Sequence, residues 1–150
     1  MSGQPSGLLL ELECLLDAPR ERVFSMLTEP VELVKWWGPR GFTTPETQLG
    51  LAVGGRYRFS MQPPDGELFH LAGEFLEIDP PSRLVYTFRW EEPTPDDRET
   101  VVTISLGSLG GATRVALSQS GFATEERVAL HRSGWTESFE KLREAIESGA

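Results

Sequence analysis

The sequence predicts an α+β fold in which a curved antiparallel sheet wraps around one long C-terminal helix. Three observations support this prediction. Most of the chain after residue 42 consists of short runs in which apolar and polar residues alternate with period two. A long apolar stripe with three- and four-residue spacing lies near the C-terminal end. Two short helical patterns bounded by prolines follow the first strand.

The first strand and the two short helices come before residue 40. Apolar side chains alternate with glutamates in a strand with one buried face, at Leu8, Leu10, Leu12, Cys14 and Leu16. Pro19 suits the first turn of a helix, and Pro30 can begin a second short helix. Gly38 and Pro39 end that second helix. The apolar stripe of the first helix is Val23, Phe24 and Leu27.

The middle of the chain predicts six further strands. They cover residues 42–49, 54–62, 67–78, 84–91, 99–107 and 111–119. Pro45 has no N–H to donate, so the first of them is expected at a sheet edge. Gly110 and Gly111 form a hairpin turn, and the acidic stretch 91–97 forms a solvated loop. Because consecutive runs are joined by short turns, we expect an antiparallel meander.

The last segment carries the strongest helical pattern of the chain. Its stripe consists of Val128, His131, Trp135, Phe139, Leu142 and Ile146. Thr124 is the expected N-cap, and Glu125 and Glu126 lie favourably near the positive helix end. A helix from Thr124 to Glu147 would be about 36 Å long at about 1.5 Å per residue, enough to cross several strands.

Composition and charge restrict the class of function. The chain has 150 residues, of which 39% are hydrophobic, and a formal net charge of −9. These values predict one globular domain over residues 8–147, with flexible termini at 1–7 and 148–150. The acidic excess opposes attraction to phosphates, so nucleic acid is not an expected partner. The N-terminus lacks the features of a signal peptide or membrane span, which predicts a cytoplasmic location.

Six sequence blocks carry a family resemblance, in the order "APRERVF", "WWGP", "GGRYRF", "EIDPPSRLVYTFRWEE", "GATRVALSQSGF" and "HRSGWTESFEKL". Together they resemble bacterial single-domain proteins similar to the C-terminal domain of the activator of Hsp90 ATPase, within the START-like superfamily. The resemblance extends from about Leu8 to Ile146. It implies the helix-grip fold, in which members bind lipids, sterols, polyketides or hormones between the sheet and the long helix. Some members are cyclases or dehydratases.

The inward-facing positions define the candidate ligand-binding residues. Alternation directs the following side chains under the last helix: Tyr57, Phe59, Phe69, Leu71, Tyr86, Phe88 and Trp90. From the helix itself, the candidates are His131, Trp135 and Phe139. This composition is typical of a small-molecule pocket, although the same side chains could instead fill a packed core.

Adjacent tryptophans in "KWWGPRGF" complete the candidate set. In a helix, Trp36 and Trp37 point about 100° apart, so they cannot both face one flat surface. We expect Trp37 in the core, because it adjoins the constrained Gly38-Pro39 stop, and Trp36 at the cavity rim. The alternative is that both rings pack in different parts of the core.

Histidines are the sharpest polar signals. His131 lies on the apolar stripe and could bind a ligand carbonyl or act as a general acid or base. The favoured interpretation is a core histidine bonded to a backbone carbonyl, because no catalytic partner has a recognisable spacing from it. His70 and Glu74 are expected to face solvent unless a bulge at Gly73 changes the register. Cys14 is the only cysteine, so no internal disulfide is predicted. The two histidines are far apart and no HExxH or clustered Cys/His pattern is present, so no metal site is predicted, and no cofactor is expected.

Three functions remain open at this point. The favoured one is non-enzymatic binding of a hydrophobic small molecule of lipid, polyketide or aromatic type. The second is a chaperone-assisting or other protein-interaction module acting on Hsp90 or another protein. The third is a cyclase- or dehydratase-like enzyme using His131, Tyr57 or Tyr86. The protein is expected to be a monomer or a homodimer.

Overall fold

The computed structural model describes residues 8–92 and 97–148. The first part of the chain forms β1 (Leu8–Leu16), α1 (Arg20–Thr28) and α2 (Pro30–Leu33). The middle part forms β2 (Thr47–Leu49), β3 (Arg56–Met61), β4 (Phe69–Asp79), β5 (Arg83–Trp90), β6 (Thr100–Leu109) and β7 (Ala112–Phe122). The helix α3 (Glu125–Glu147) follows. This order is the one that the sequence predicts.

The described strands form one antiparallel sheet in the order β1-β7-β6-β5-β4-β3-β2. Strands β2 to β7 are a meander, and β1 pairs antiparallel with β7 at the far edge. The helix α3 packs against β1 and β7, whereas α1 lies against β6 and β7. Thr124 caps α3 through a 3.1 Å hydrogen bond that its hydroxyl accepts from the Arg127 N–H. The arrangement confirms the predicted helix-grip fold.

The alternation in β3 and β5 has the predicted buried face. Tyr57, Phe59, Tyr86 and Phe88 are all buried. Arg56, Arg58 and Arg89 are exposed on the opposite face. The period of the strand therefore decides which side chains lie under the helix.

Several element ends differ from the prediction. β2 covers only Thr47–Leu49, and Thr43 instead forms an isolated bridge with Gln62, because Pro45 interrupts the pairing between them. α2 ends at Leu33 and continues as a turn rather than as helix to Trp37. The predicted termini 1–7 and 149–150, and residues 93–96 of the predicted loop, lie outside the described residues, whereas Ser148 is the C-cap of α3.

The bulge at Gly73, which the sequence left open as an alternative, does not occur. Gly73 pairs regularly with Tyr57, and the register shift in β4 falls between Phe75 and Glu77. Gly73 instead makes room for the Tyr57 ring, which passes over it. The Tyr57 hydroxyl donates a 2.6 Å hydrogen bond to the Thr87 carbonyl. Glu74 is half-buried rather than fully exposed, and its N–H donates to the Thr87 hydroxyl.

Candidate functional site

Trp37 is buried as expected, but the expectation of Trp36 at the cavity rim was wrong, because Trp36 is a core residue. Its side chain has no exposed surface, and its Nε1–H donates a 2.8 Å hydrogen bond to the Met26 carbonyl in α1. The contact fixes the turn after α2 against α1, and it satisfies the indole donor that burial would otherwise leave unpaired. Trp37 follows one residue later and points to the other side, against Phe59 and Trp135.

Two cationic side chains tie the turn after Trp37 to α3. The Lys141 ammonium donates to the Gly38 carbonyl at 3.0 Å and to the carbonyls of Trp37 and Pro39 at 3.4 Å. Arg40 binds Glu144 with an Nη2 to Oε2 distance of 2.6 Å. The turn can pass so close to the helix because Gly38 adopts a φ of 90°. Trp37 and Pro39 thereby become a wall opposite α3.

A cavity of about 440 Å³ lies between this turn, the sheet and the first half of α3. The aromatic part of its wall consists of Trp37, Phe42, Phe69, Phe88, Trp90 and Trp135. Met61, Pro39 and Leu130 add aliphatic surface, and Gly134 leaves open space beneath the helix. Because Leu130 and Glu92 are exposed, the cavity opens to solvent on their side.

A buried hydrogen-bond chain holds Trp135 in the cavity wall. Its Nε1–H donates to Oε1 of Gln119 at 2.8 Å, and Nε2 of Gln119 donates to the Thr100 hydroxyl at 2.8 Å. The Thr100 hydroxyl lies 3.4 Å from the Phe88 carbonyl, to which it donates. Residues of β7, β6 and β5 therefore fix the orientation of the Trp135 indole ring.

His131 lies in the wall among aromatic rings. Its ring centroid is 4.9 Å from that of Phe122 and 5.3 Å from that of Phe88. Burial, followed by the nearby Arg127 charge, lowers the pKa of His131 to about 4, whereas Asp97 acts in the opposite direction. Within residues 8–92 and 97–148 its ring has no hydrogen-bond partner, so the expected bond to a backbone carbonyl is not found. A neutral imidazole next to open space offers one donor and one acceptor.

Charged groups border the cavity near His131. The Arg127 Nε lies 2.9 Å from Oδ1 of Asp97, and the side chains are 15% and 10% exposed. Glu92 accepts a 2.9 Å hydrogen bond from the His70 backbone N–H, and its Oε2 lies 3.2 Å from Nδ1 of His70. The contact with Glu92 also leaves His70 half-buried, where the sequence suggested exposure.

The structure brings half of the sequence-predicted site residues to this cavity: Trp37, Phe69, Phe88, Trp90, His131 and Trp135. The others lie in the packed core beside it: Trp36, Tyr57, Phe59, Leu71, Tyr86 and Phe139. Among Tyr57, Phe59 and Tyr86 a space of only about 10 Å³ remains. Burial raises the pKa of both tyrosines, so neither hydroxyl is placed to ionise.

Sequence reasoning missed the polar part of the wall. The cavity is also lined by Glu92 and Asp97, from the connection between β5 and β6, and by Arg127, Ser133 and Ser138, from α3. Met61 could have been included, because it continues the inward alternation of Tyr57 and Phe59. The carboxylate and guanidinium positions carry no comparable periodic signal.

One group of side chains near the cavity has the composition of a cation site. Ligand atoms of His70, Glu91 and Glu92 lie within 4.8 Å of one another. Arg58 already binds Glu91, with its Nε and Nη2 at 2.8 and 2.9 Å from the two carboxylate oxygens. The guanidinium supplies the positive charge that a cation would bring.

Solved structures of other proteins share this fold. A protein from Chromobacterium violaceum is 27% identical, with a TM-score of 0.85 over 93% of this chain and 96% of that one. A protein from Nitrosomonas europaea is 27% identical, with a TM-score of 0.80 over 95% and 96%. The AHSA1 protein of Silicibacter pomeroyi is 26% identical, with a TM-score of 0.82 over 95% and 100%. None of the curated proteins matches the sequence.

Neither α3 nor another helix in the described part of the chain is long and apolar enough to cross a membrane. The family model for "Activator of Hsp90 ATPase homolog 1-like protein" matches residues 17–147, which include both short helices, the meander and α3. The chain therefore belongs to the family of activator of Hsp90 ATPase homolog 1-like proteins.

Proposed function

We propose that the protein binds a hydrophobic small molecule, without converting it, in the cavity between the sheet and α3. One observation carries this proposal: side chains leave about 440 Å³ open within a mainly aromatic wall. Pockets for small molecules have volumes of roughly 300–1,000 Å³ and similar walls. A packed core of this size would not retain such a space.

The wall supports binding better than catalysis. His131 is a weak base at a pKa of about 4. Tyr57 donates its hydroxyl to the Thr87 carbonyl, away from the cavity. In the described residues His131 has no hydrogen-bonded acid or base beside it. Its neutral ring is suited to fixing the orientation of a ligand through one hydrogen bond.

Gly134 allows a direct test of the cavity. A Cβ added there would meet only Cγ of Pro39, at 3.8 Å. The Cβ of Gly134→Leu therefore fits without a clash, the rest of the side chain should occupy part of the cavity that Gly134 lines, and leucine forms helix better than glycine. We expect the neutral probe N-phenyl-1-naphthylamine to bind the unchanged protein with enhanced fluorescence and to bind Gly134→Leu at least about tenfold more weakly.

Gly107→Leu is the matched control, because an added Cβ at Gly107 meets no atom within 4 Å on the strand surface. It should bind the probe like the unchanged protein. If the unchanged protein fails to bind the probe, or Gly134→Leu binds it equally well, the cavity is not the binding site.

The family assignment favours a chaperone-assisting module as the second candidate. An Hsp90 ATPase assay with added protein separates the two functions. Stimulation that is equal for the unchanged protein and Gly134→Leu would support the second candidate. No stimulation together with probe binding would support the first.

A further inference from the structure

The charges at the cavity are unevenly balanced. Arg127 and Asp97 form a short ion pair that is largely removed from solvent, so their opposite charges offset each other. Within residues 8–92 and 97–148, Glu92 forms no salt bridge with a lysine or arginine; the nearby Arg58 guanidinium interacts with its charge but is bound to Glu91, whose own charge offsets it. Hydrogen bonds from the His70 backbone and ring lower the pKa of Glu92 and keep it ionised. The wall therefore carries a net negative charge at Glu92.

Aromatic rings lie next to this carboxylate. Trp90 precedes Glu92 by two residues, and its ring centroid is 5.2 Å from those of both Phe69 and Phe88. Phe69 adjoins His70, whose N–H holds Glu92. Ring faces carry negative electrostatic potential and attract cations, as a carboxylate does. Both kinds of group at this end of the cavity thus favour the same ligand charge.

The remaining groups add no preference for an anion. His131 is neutral at physiological pH, so it supplies no positive charge to pair with a carboxylate. The guanidinium of Arg127 is engaged by Asp97 at 2.9 Å. The formal net charge of −9 also attracts cations to the protein and repels anions.

We infer that the cavity selects an apolar ligand that carries an amine or ammonium group, held between Glu92 and the rings of Phe69 and Trp90. This inference rests on the proposed binding function and specifies its ligand class. The apolar body would lie against Trp37 and Trp135, and the cationic group would point to the open side at Glu92. Apolar carboxylates are the class that the cavity disfavours.

Three probes with one ring system test the inference: 1-naphthylmethylammonium, 1-naphthalenemethanol and 1-naphthoate. Titration calorimetry at about pH 8, where free imidazole is neutral, compares their dissociation constants. We expect the ammonium to bind about fivefold to twentyfold more tightly than the alcohol, and the carboxylate to bind most weakly. The preference for the ammonium should decrease at high salt, because Glu92 is partly exposed.

Glu92→Gln is the informative variant, since an amide oxygen can still accept the bond from the His70 N–H. It should remove most of the preference for the ammonium over the alcohol. Glu147→Gln is the matched control, because it removes the same charge from the exposed last turn of α3 and should change none of the three constants.

Two failures can be told apart. The proposed function stands if the alcohol binds and Gly134→Leu abolishes its binding. The ligand class is wrong if, in addition, the ammonium binds no more tightly than the alcohol, or if its tighter binding survives in Glu92→Gln. Tighter binding of the carboxylate than of the alcohol would also overturn the ligand class. If none of the three probes binds, both the proposed function and this inference fail.

Discussion

The indole Nε1–H of Trp135 donates a 2.8 Å hydrogen bond to Oε1 of Gln119, a side chain with no exposed surface. Gln119 in turn donates to Thr100, so the amide is satisfied on both sides. The pair joins α3 to β7 and orients the indole toward the cavity. The buried indole N–H needs a hydrogen-bond acceptor, and the buried glutamine at this position supplies it.

Removing both partners of this pair should cost less than the sum of the two single removals. Gln119→Leu leaves the Trp135 N–H and the Thr100 hydroxyl without their partner and should lower the free energy of unfolding by about 2–3 kcal/mol. Adding Trp135→Phe to Gln119→Leu should cost less than the sum of the two single changes. Urea unfolding of the four proteins in a double-mutant cycle measures this coupling. Additive losses would show that the hydrogen bond contributes nothing beyond packing.

The two tryptophans should respond differently to truncation. Trp36→Ala removes a fully buried ring and its bond to Met26, so we expect a loss of about 3–5 kcal/mol in stability. Trp37→Ala enlarges a space that is already open, so it should cost less than Trp36→Ala while weakening binding of the naphthyl probes. Thermal melts and probe titrations of both variants compare the effects. Equal losses of stability with unchanged probe binding would place both rings in the plain core.

The sequence predicts the fold well because the period of each run decides which side chains are buried. Tyr57 and Phe59 alternate with Arg56 and Arg58, and the structure buries the first pair and exposes the second. Alternation, however, does not tell whether the space under a strand is filled. Phe75 packs beside Tyr57 with ring centroids 5.6 Å apart, which closes that part of the interior.

The choice between Trp36 and Trp37 depended on information that local sequence does not contain. The hydrogen-bond acceptor for the Trp36 indole is the Met26 carbonyl in α1. The angle between α1 and α2 decides which of the two indoles reaches this carbonyl. The charged groups at the end of the cavity could not be predicted for a similar reason. Glu92, Asp97 and Arg127 meet only after β6 and β7 have returned the chain, so neither period nor spacing indicates their proximity.

Gly73 should not tolerate a side chain. A Cβ there would overlap the Thr87 carbonyl oxygen and lie 2.6 Å from Cε2 of Tyr57, so Gly73→Ala should cost about 3 kcal/mol or more. Gly107→Ala is the control, since an added Cβ meets no atom within 4 Å. It should leave stability unchanged or raise it by up to about 1 kcal/mol. Similar urea midpoints for the two variants would contradict the close approach of Tyr57 to Gly73.

Lys141 should control how readily ligands enter. Lys141→Met removes the donor for three consecutive carbonyls of the turn that bears Trp37, so the turn should open more often. Stopped-flow fluorescence with N-phenyl-1-naphthylamine should show association and dissociation rate constants that are both larger, by about threefold or more. Their ratio, the dissociation constant, should change less. Lys35→Met is the control, because Lys35 pairs with Glu32 and not with the carbonyls of this turn. Unchanged rates would mean that ligands enter elsewhere.

His131 should make stability depend on pH below neutrality. Its pKa is lowered to about 4 in the folded protein, whereas an unfolded histidine has a pKa of about 6.5. Between these values the unfolded chain binds more protons than the folded one, so the free energy of unfolding rises with pH through this window. The neutral ring therefore costs stability as the pH falls, by about 2–3 kcal/mol from pH 6.5 to 4, and the dependence from this group ends about one pH unit above 6.5, where the unfolded histidine is also neutral. His131→Phe keeps an aromatic ring among Phe88 and Phe122 and should flatten this part of the curve, as measured by urea unfolding at several pH values. In the unchanged protein, the ring protons of His131 should titrate by nuclear magnetic resonance with a midpoint near 4; a midpoint near 6.5 would show that solvent reaches the imidazole freely.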